Sequence, residues 1–212
     1  MKKNWLENIF SCPELSKMGH HQTKKDLNIG LGWLYYAQIR ISKPSKVVCI
    51  GSWRGFVPII LAQGLKDNKK GKLIFIDPSM VDDFWRDKKK TKLWFEKFNL
   101  TNIEHHCLTT QAFIETKAYK KLNNVGLVFI DGYHTAKQAE FDFNAFKSKL
   151  TDNASIFFHD SVRKFITSIY GKDKAYTHDV YKFINKIKKW KKFQVLDFYE
   201  GSGVTLVKKI SS

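Results

Sequence analysis

The stretch Val47-Val48-Cys49-Ile50-Gly51-Ser52-Trp53-Arg54-Gly55-Phe56 constrains the fold of this chain more than any other. Four apolar residues in a row predict a parallel strand buried on both faces. A Gly-x-x-x-Gly turn follows. Then Val57-Pro58-Ile59-Ile60-Leu61-Ala62 opens a helix, with Pro58 in the first turn, where its missing N–H costs nothing. Strand, glycine turn and helix N-terminus together make a nucleotide-cofactor site at the carboxyl edge of a doubly wound sheet. The dinucleotide fingerprint needs glycine at the first, third and sixth positions. Counted from Gly51, the third is Trp53 and the sixth Phe56, which argues against NAD and FAD. No Gly-Lys-Ser/Thr follows to make a Walker loop. Read alone, the stretch also fits a tight strand-to-helix turn in any α/β protein.

The rest of the chain continues the alternation. Leu27, Leu31, Leu34 and Tyr35 predict a helix over 24–41, and Pro44 breaks the chain before the first strand. A second buried strand is expected at 72–77, a helix at 81–98, a third strand at 102–107, and a helix at 109–119 capped by Thr109 or Thr110. The fourth strand (125–131) leads to a helix at 135–150, a turn at 151–153 and a fifth strand at 154–160. A polar loop over 161–174 precedes a helix at 176–189. Strands at 193–198 and 204–207 are joined by so short a link that they must form an antiparallel hairpin. This order predicts an α/β fold: a Rossmann-like, doubly wound, seven-stranded sheet, mostly parallel with an antiparallel C-terminal strand. One domain is expected over 1–212, with an N-terminal cap segment at 1–23 and the core at 24–212. The cap ends in His20-His21, a pair that reads as solvated or as a metal ligand.

Composition narrows the function classes. With 43% hydrophobic and 15% aromatic residues the chain is globular. No apolar run approaches the length of a membrane span, and the N-terminus lacks a signal-peptide core. Cys12, Cys49 and Cys107 have no metal-ligand spacing, and Cys49 and Cys107 read as buried small hydrophobes, so a cytoplasmic location is expected. The net charge of +17 raises nucleic acid as a partner. Only four of the 37 basic residues are arginine, however, and the lysines are spread along the chain, which makes a solvated coat the better reading. A homodimer is compatible with everything above.

Three predicted strands end in an acid at the edge where ligands bind: Asp77, Asp131 and Asp160. Asp131-Gly132-Tyr133-His134 and the later Phe157-Phe158-His159-Asp160-Ser161 complete the pattern. The glycine turn resembles motif I of class I S-adenosylmethionine (SAM) methyltransferases, and the closing hairpin resembles their topology. Asp131-Gly132-Tyr133-His134 resembles the Asp-x-x-Lys of catechol-type O-methyltransferases. In its Asp-Gly-x-His and His-Asp form it is similar to a bacterial group of small-molecule O-methyltransferases. The resemblance covers about residues 24–208. It implies SAM-dependent methyl transfer to a small-molecule acceptor, at a hydroxyl oxygen. Gly51, Ser52, Trp53 and Gly55 would lie under the methionine moiety, Asp77 on the ribose, Thr109 near the adenine, and Asp131 between cofactor and acceptor. It also implies a site for Mg²⁺ or another divalent cation at Asp131, His159 and Asp160.

The chemistry explains these residue types. A hydroxyl is a poor nucleophile until it loses its proton, and His134 is placed to take that proton near neutral pH, beside Asp131. A cation on Asp131 and Asp160 would acidify and orient the hydroxyl. The alternative for His134 is a cap on the helix after it. Two departures stand out. Cys49 occupies the position, two before the first glycine, where many class I enzymes carry an acid. His159 replaces the first carboxylate of the usual metal pair. An RNA- or polyanion-directed methyltransferase and a non-catalytic Rossmann-like binding module are the rival readings.

Overall fold

A computed structural model describes residues 4–16 and 18–210. The expected cap segment therefore falls partly outside them, at 1–3 and 17. The elements run α1 (Trp5–Phe10), α2 (Gly32–Ser42), β1 (Lys46–Ile50), α3 (Phe56–Asp67), β2 (Lys72–Ile76), α4 (Lys88–Glu96) and β3 (Ile103–His106). There follow α5 (Thr110–Ile114), α6 (Lys117–Lys121), β4 (Val125–Ile130), α7 (Ala136–Lys147) and β5 (Leu150–His159). The chain closes with β6 (Phe165–Thr167), β7 (Tyr176–His178), α8 (Tyr181–Ile187), β8 (Phe193–Phe198) and β9 (Val204–Lys209). Seven strands form one sheet in the order β3-β2-β1-β4-β5-β9-β8. The first five are parallel, and β9 runs antiparallel to both β5 and β8. The strand order reverses between β1 and β4, which makes their carboxyl ends the switch point where a doubly wound sheet binds its ligand.

Side chains alternate across the sheet with the strand period of two. Val47, Cys49, Leu73, Phe75, Leu127, Phe129 and Phe157 face a core shared with α2 and α3. Val48, Ile50, Ile74, Ile76, Val128, Ile130, Ile156 and Phe158 face the opposite core, shared with α7 and α8. Burial on both faces explains why β1, β2 and β4 read as unbroken apolar runs. Helix α3 is buried from Phe56 to Leu65, so the helix after the glycine turn is a central pillar of the first core.

Several boundaries differ from those expected, each for a local reason. The helix expected over 24–41 begins only at Gly32. Asp26 and Asn28 instead accept hydrogen bonds from the backbone two residues on, the competition that keeps such residues out of helices. Leu27, expected on the helical face, takes a left-handed conformation before the helix starts. The helix expected over 81–98 starts at Lys88, because Asp87 caps it by accepting from the backbone of Lys89 and Lys90. The helix over 109–119 is two short ones, with Thr109 capping the first and Thr116 the second. Residues 151–153, expected as a turn, belong to β5. Residues 176–178, expected in a helix, form β7, which pairs antiparallel with β6 (Phe165 opposite His178) in a separate two-stranded ribbon. Cys49 is buried as expected, whereas Cys107 is only half-buried, just past the end of β3.

At the switch point the chain comes so close to itself that only glycine fits. Gly51 has φ +74°, and a Cβ there would lie 2.1 Å from the carbonyl oxygen of Asp131. The strain of a left-handed non-glycine residue is about 1–3 kcal/mol before that overlap is counted. Gly51→Ala is therefore expected to lower stability by at least that much, read as a fall in the urea midpoint. In the second core, Phe143 packs its ring on Phe158, Phe183, Trp190 and Phe193. Phe143→Ala should cost about 3–5 kcal/mol in denaturant unfolding, with the slope unchanged.

Candidate active site

The glycine turn is held from three directions. The backbone N–H of Ser52 donates to Asp77 Oδ2 at 2.9 Å, and that of Ser79 to Oδ1 at 2.7 Å. The indole of Trp85 donates to the Ser52 carbonyl at 3.1 Å, and that of Trp94 to the Arg54 carbonyl at 3.2 Å. The Arg54 side chain pairs with Asp82 at 2.7 Å. Asp77 thus pins the turn while each oxygen keeps a second lone pair for a ligand. Burial pushes its carboxyl up to about 6, against the pull of the two backbone N–H groups. The Trp85 prop escaped sequence reasoning. Phe84 and Trp85 lie in the turn before α4, where helical periodicity says nothing about direction.

A cleft of about 560 Å³ opens along this edge. Gly51, Ser52, Trp53, Asp77, Thr109 and Asp131 line it, and so do His134, His159 and Asp160. Gly55 is not on its wall; it precedes α3 in a left-handed conformation, where a Cβ would lie 2.9 Å from the Trp85 ring. Cys49 lies beneath the turn, fully buried, its Sγ 3.5 Å from the Gly51 carbonyl, and burial pushes its thiol well up. The cleft also reaches Gln138 and Asp142 of α7. Burial pushes Asp142 up to about 6, although Gln138 donates to it at 2.8 Å.

At the other end five titratable side chains meet. His159 Nδ1 lies 2.8 Å from Asp131 Oδ1 and 3.3 Å from Asp160 Oδ1, so one imidazole bridges the carboxyl ends of β4 and β5. Burial works against charging His159, but the two carboxylates outweigh it and raise its pKa to about 9. Burial likewise opposes ionisation of Asp160, and His159 together with its other partners holds the carboxyl far below the usual range. His134 places Nε2 3.7 Å from Asp131 and Nδ1 3.6 Å from Asp160. Burial lowers its pKa, only partly offset by Asp160 and Asp131. It does not cap the helix after it: Thr135 does, accepting from the Gln138 N–H. His178 of β7 completes the group, 3.1 Å from Asp160 Oδ2.

Two further contributions were not legible in the sequence. His20 is buried, stacked on Phe56 at 4.9 Å, and its ring lies 4.6 Å from His159. The reading of His20-His21 as a solvated pair is thus corrected for His20: the backbone N–H of Leu31 donates to its carbonyl and ties it inward. From the β6–β7 ribbon, Tyr170 and Tyr176 stack with Tyr133 over the cleft, Tyr176 at 4.2 Å from Tyr133. Ligand-competent atoms gather as two triads sharing His134: Asp131, His134 and His159, and His134, Asp160 and His178, each within 4.8 Å.

The fold now has counterparts. The sequence profile of the family described as Methyltransferase domain matches residues 48–161, more than half of the chain. Among curated proteins none is similar in sequence. The solved structures of similar fold include the O-methyltransferase from Bacillus cereus in complex with S-adenosylhomocysteine (SAH), at 15% identity and TM-score 0.67 over 99% of this chain and 92% of that one. They also include the O-methyltransferase TomG of Streptomyces achromogenes, involved in tomaymycin synthesis and in complex with SAM, at 13% identity and TM-score 0.64 over 100% and 92%. The SAH-bound methyltransferase PaMTH1 of Podospora anserina aligns at 15% identity and TM-score 0.65 over 98% and 88%. With the carboxyl end of β1, the glycine turn, β4 and the carboxyl end of β5 all inside the matched segment, the chain belongs to the methyltransferase-domain family, on a class I Rossmann-like fold.

Proposed function

We propose that this methyltransferase moves the methyl group of SAM to a hydroxyl oxygen of a small-molecule acceptor. The observation that carries the reading is the meeting of Asp131, His134, His159 and Asp160 in the same cleft as the glycine turn. The SAM- and SAH-bound relatives of the same fold support the cofactor. Gly51, Ser52 and Trp53 would lie along its methionine moiety, with Gly55 acting from behind by turning the chain into α3. Asp77 would accept from the ribose hydroxyls and Thr109 would face the adenine.

Bound SAM would supply an electrophilic methyl group to the acceptor oxygen, with the electrons of the broken carbon–sulfur bond kept by sulfur in neutral SAH. The hydroxyl proton goes to His134, which burial keeps unprotonated at neutral pH. Asp131 and Asp160 flank that imidazole and stabilise the imidazolium that forms. Already charged, His159 balances part of the buried negative charge and fixes Asp131. Much of the acceleration comes from holding the two reactants aligned, which is worth several kcal/mol without any further group.

The resemblance implies Mg²⁺ or another divalent cation at Asp131, His159 and Asp160. The residues present do not fit Mg²⁺. Mg²⁺ takes near-octahedral oxygen ligands and retains several waters. Here three imidazoles surround the two carboxylates, and Asp131 is already engaged by His159 at 2.8 Å. No step above uses Mg²⁺.

Asp77→Asn should weaken SAM binding by about 1.5–3 kcal/mol, the scale of a hydrogen bond to a charged group, as measured by calorimetry. In the parent chain the ribose contact needs the ionised carboxylate. SAM affinity should therefore fall as pH drops through about 6, where Asp77 takes up a proton, and stay level above it. The Asn variant should lose this dependence, and an unchanged profile would remove Asp77 from the site. His134→Ala should slow methyl transfer by about 10²–10⁴-fold while SAM affinity barely changes, because the imidazole serves the acceptor.

A further inference from the structure

The mouth of the cleft is apolar on both sides. Trp53, after β1, and Met80 and Val81, after β2, stand out on one lip, with Trp53 51% and Met80 62% exposed. Tyr133, after β4, and Ile169, after β5, stand out on the other. Ile166 extends this second lip. Its neighbours in β6, Phe165 and Thr167, line the cleft, so by the strand period of two Ile166 faces the other way, and it is 70% exposed. A ligand filling the cleft would cover part of Trp53 and Tyr133 and leave Ile166 bare. Single exposed apolar residues are ordinary, but a contiguous set rimmed by charge marks an interaction surface.

Lysines back both lips. Lys88, Lys89 and Lys90 open α4 after the first. Lys164 precedes β6, and Lys172 and Lys174 lie in the 3₁₀ turn between β6 and β7. All six are exposed, and among the described residues none is in an ion pair. The acids nearby are engaged elsewhere: Asp82 pairs with Arg54, Asp83 with Arg86 and Asp179 with Lys182, while Asp87 caps α4. Asp173 is the exception.

We propose that this rim docks on the surface of an anionic lipid bilayer, the apolar lips entering the boundary between headgroups and acyl chains and the lysines resting on the headgroups.

Charge complementarity selects this occupant. An apolar edge enters the interface, and each lysine close to an anionic surface strengthens the attachment about fivefold. Tryptophan and tyrosine suit that depth, having an apolar body and a polar tip. Nucleic acid is the other polyanion that a net charge of +17 invites. The cleft disfavours it: no lysine or arginine lines it, and a phosphate backbone entering there would meet Asp77, Asp131 and Asp160. A flat anionic surface touches the lysines without entering. The docking needs only the fold, and it stands whether or not the methyl group goes to oxygen.

The test is co-sedimentation of the full chain with vesicles of phosphatidylcholine, with and without phosphatidylglycerol, at physiological ionic strength. Binding is expected to the vesicles containing phosphatidylglycerol and to be weak without it. Lys88→Glu, Lys89→Glu and Lys90→Glu together should weaken partitioning by about 100-fold or more. Reversing Lys43, Lys70 and Lys208 to Glu, at the opposite, amino edge of the sheet, makes the same change in net charge. It should cost only about a few-fold, because charges beyond about 8–10 Å are screened. Ile166→Glu should weaken binding as well. Should that variant disturb the ribbon, the parent chain decides: acyl chains brominated near the headgroup should quench its tryptophan fluorescence, and Trp53→Phe should remove most of that quenching. No binding to phosphatidylglycerol vesicles, equal losses from the two lysine triples, or quenching that survives Trp53→Phe would each overturn the docking. Tight binding to RNA with none to vesicles would overturn it in favour of nucleic acid.

Discussion

At the switch point of the sheet, the backbone of Gly51 lies against the carbonyl of Asp131, closer than any Cβ would permit. That contact joins the end of β1 to the end of β4. It sets the separation between the turn at 51–55 and the cluster around Asp131. Asp77, at the neighbouring strand end, fixes the same turn by accepting from Ser52, while Trp85 and Trp94 hold it from outside. The cleft thus rests on backbone geometry at three adjacent strand ends, and the apolar strands beneath, buried on both faces, keep those ends in place. A side chain at position 51 would part the strands that the chemistry needs together.

The second constraint is charge burial. Asp131 and Asp160 end neighbouring parallel strands, and two carboxylates at such a place repel one another unless something positive lies between them. His159 does, and the same interaction raises its own proton affinity. His134 sits among the same groups with the opposite result, because for it burial outweighs the carboxylates. Two histidines within one cluster are thereby held in different protonation states. This division gives the site a fixed positive charge beside a free proton acceptor, and it arises from placement alone.

The chain after β5 does more than connect. It leaves the sheet at Asp160, pairs β6 with β7, and returns through Asp179, whose carboxylate accepts from the Ala136 N–H at the start of α7. In doing so it places Tyr170 and Tyr176 on Tyr133 and His178 on His134. From the other side the segment before α2 brings His20 against His159. Among the described residues no helix is long and apolar enough to cross a membrane.

The sequence by itself determined the sheet, the position of the glycine turn, and which acids end the strands. Those features are local: an apolar run buried on both faces has few alternatives, and a strand of known direction places its last residue at a known edge. The same locality explains the errors. Nothing in the spacing of Leu27 and Leu31 registers that Asp26 and Asn28 bond their own backbone, nor in Tyr176-Thr177-His178 that Phe165 waits opposite. The tertiary structure alone decided that His20, Trp85, Asp142 and His178 belong to the cleft, and which histidine is charged. Each of those outcomes depends on groups distant in sequence brought within a few ångströms, where burial and Coulomb interaction become strong enough to choose between states. Cys49 marks the boundary between the two kinds of knowledge. Its identity departs from the family pattern at sequence level, and only its burial beneath Gly51 shows that the position serves the packing under the turn.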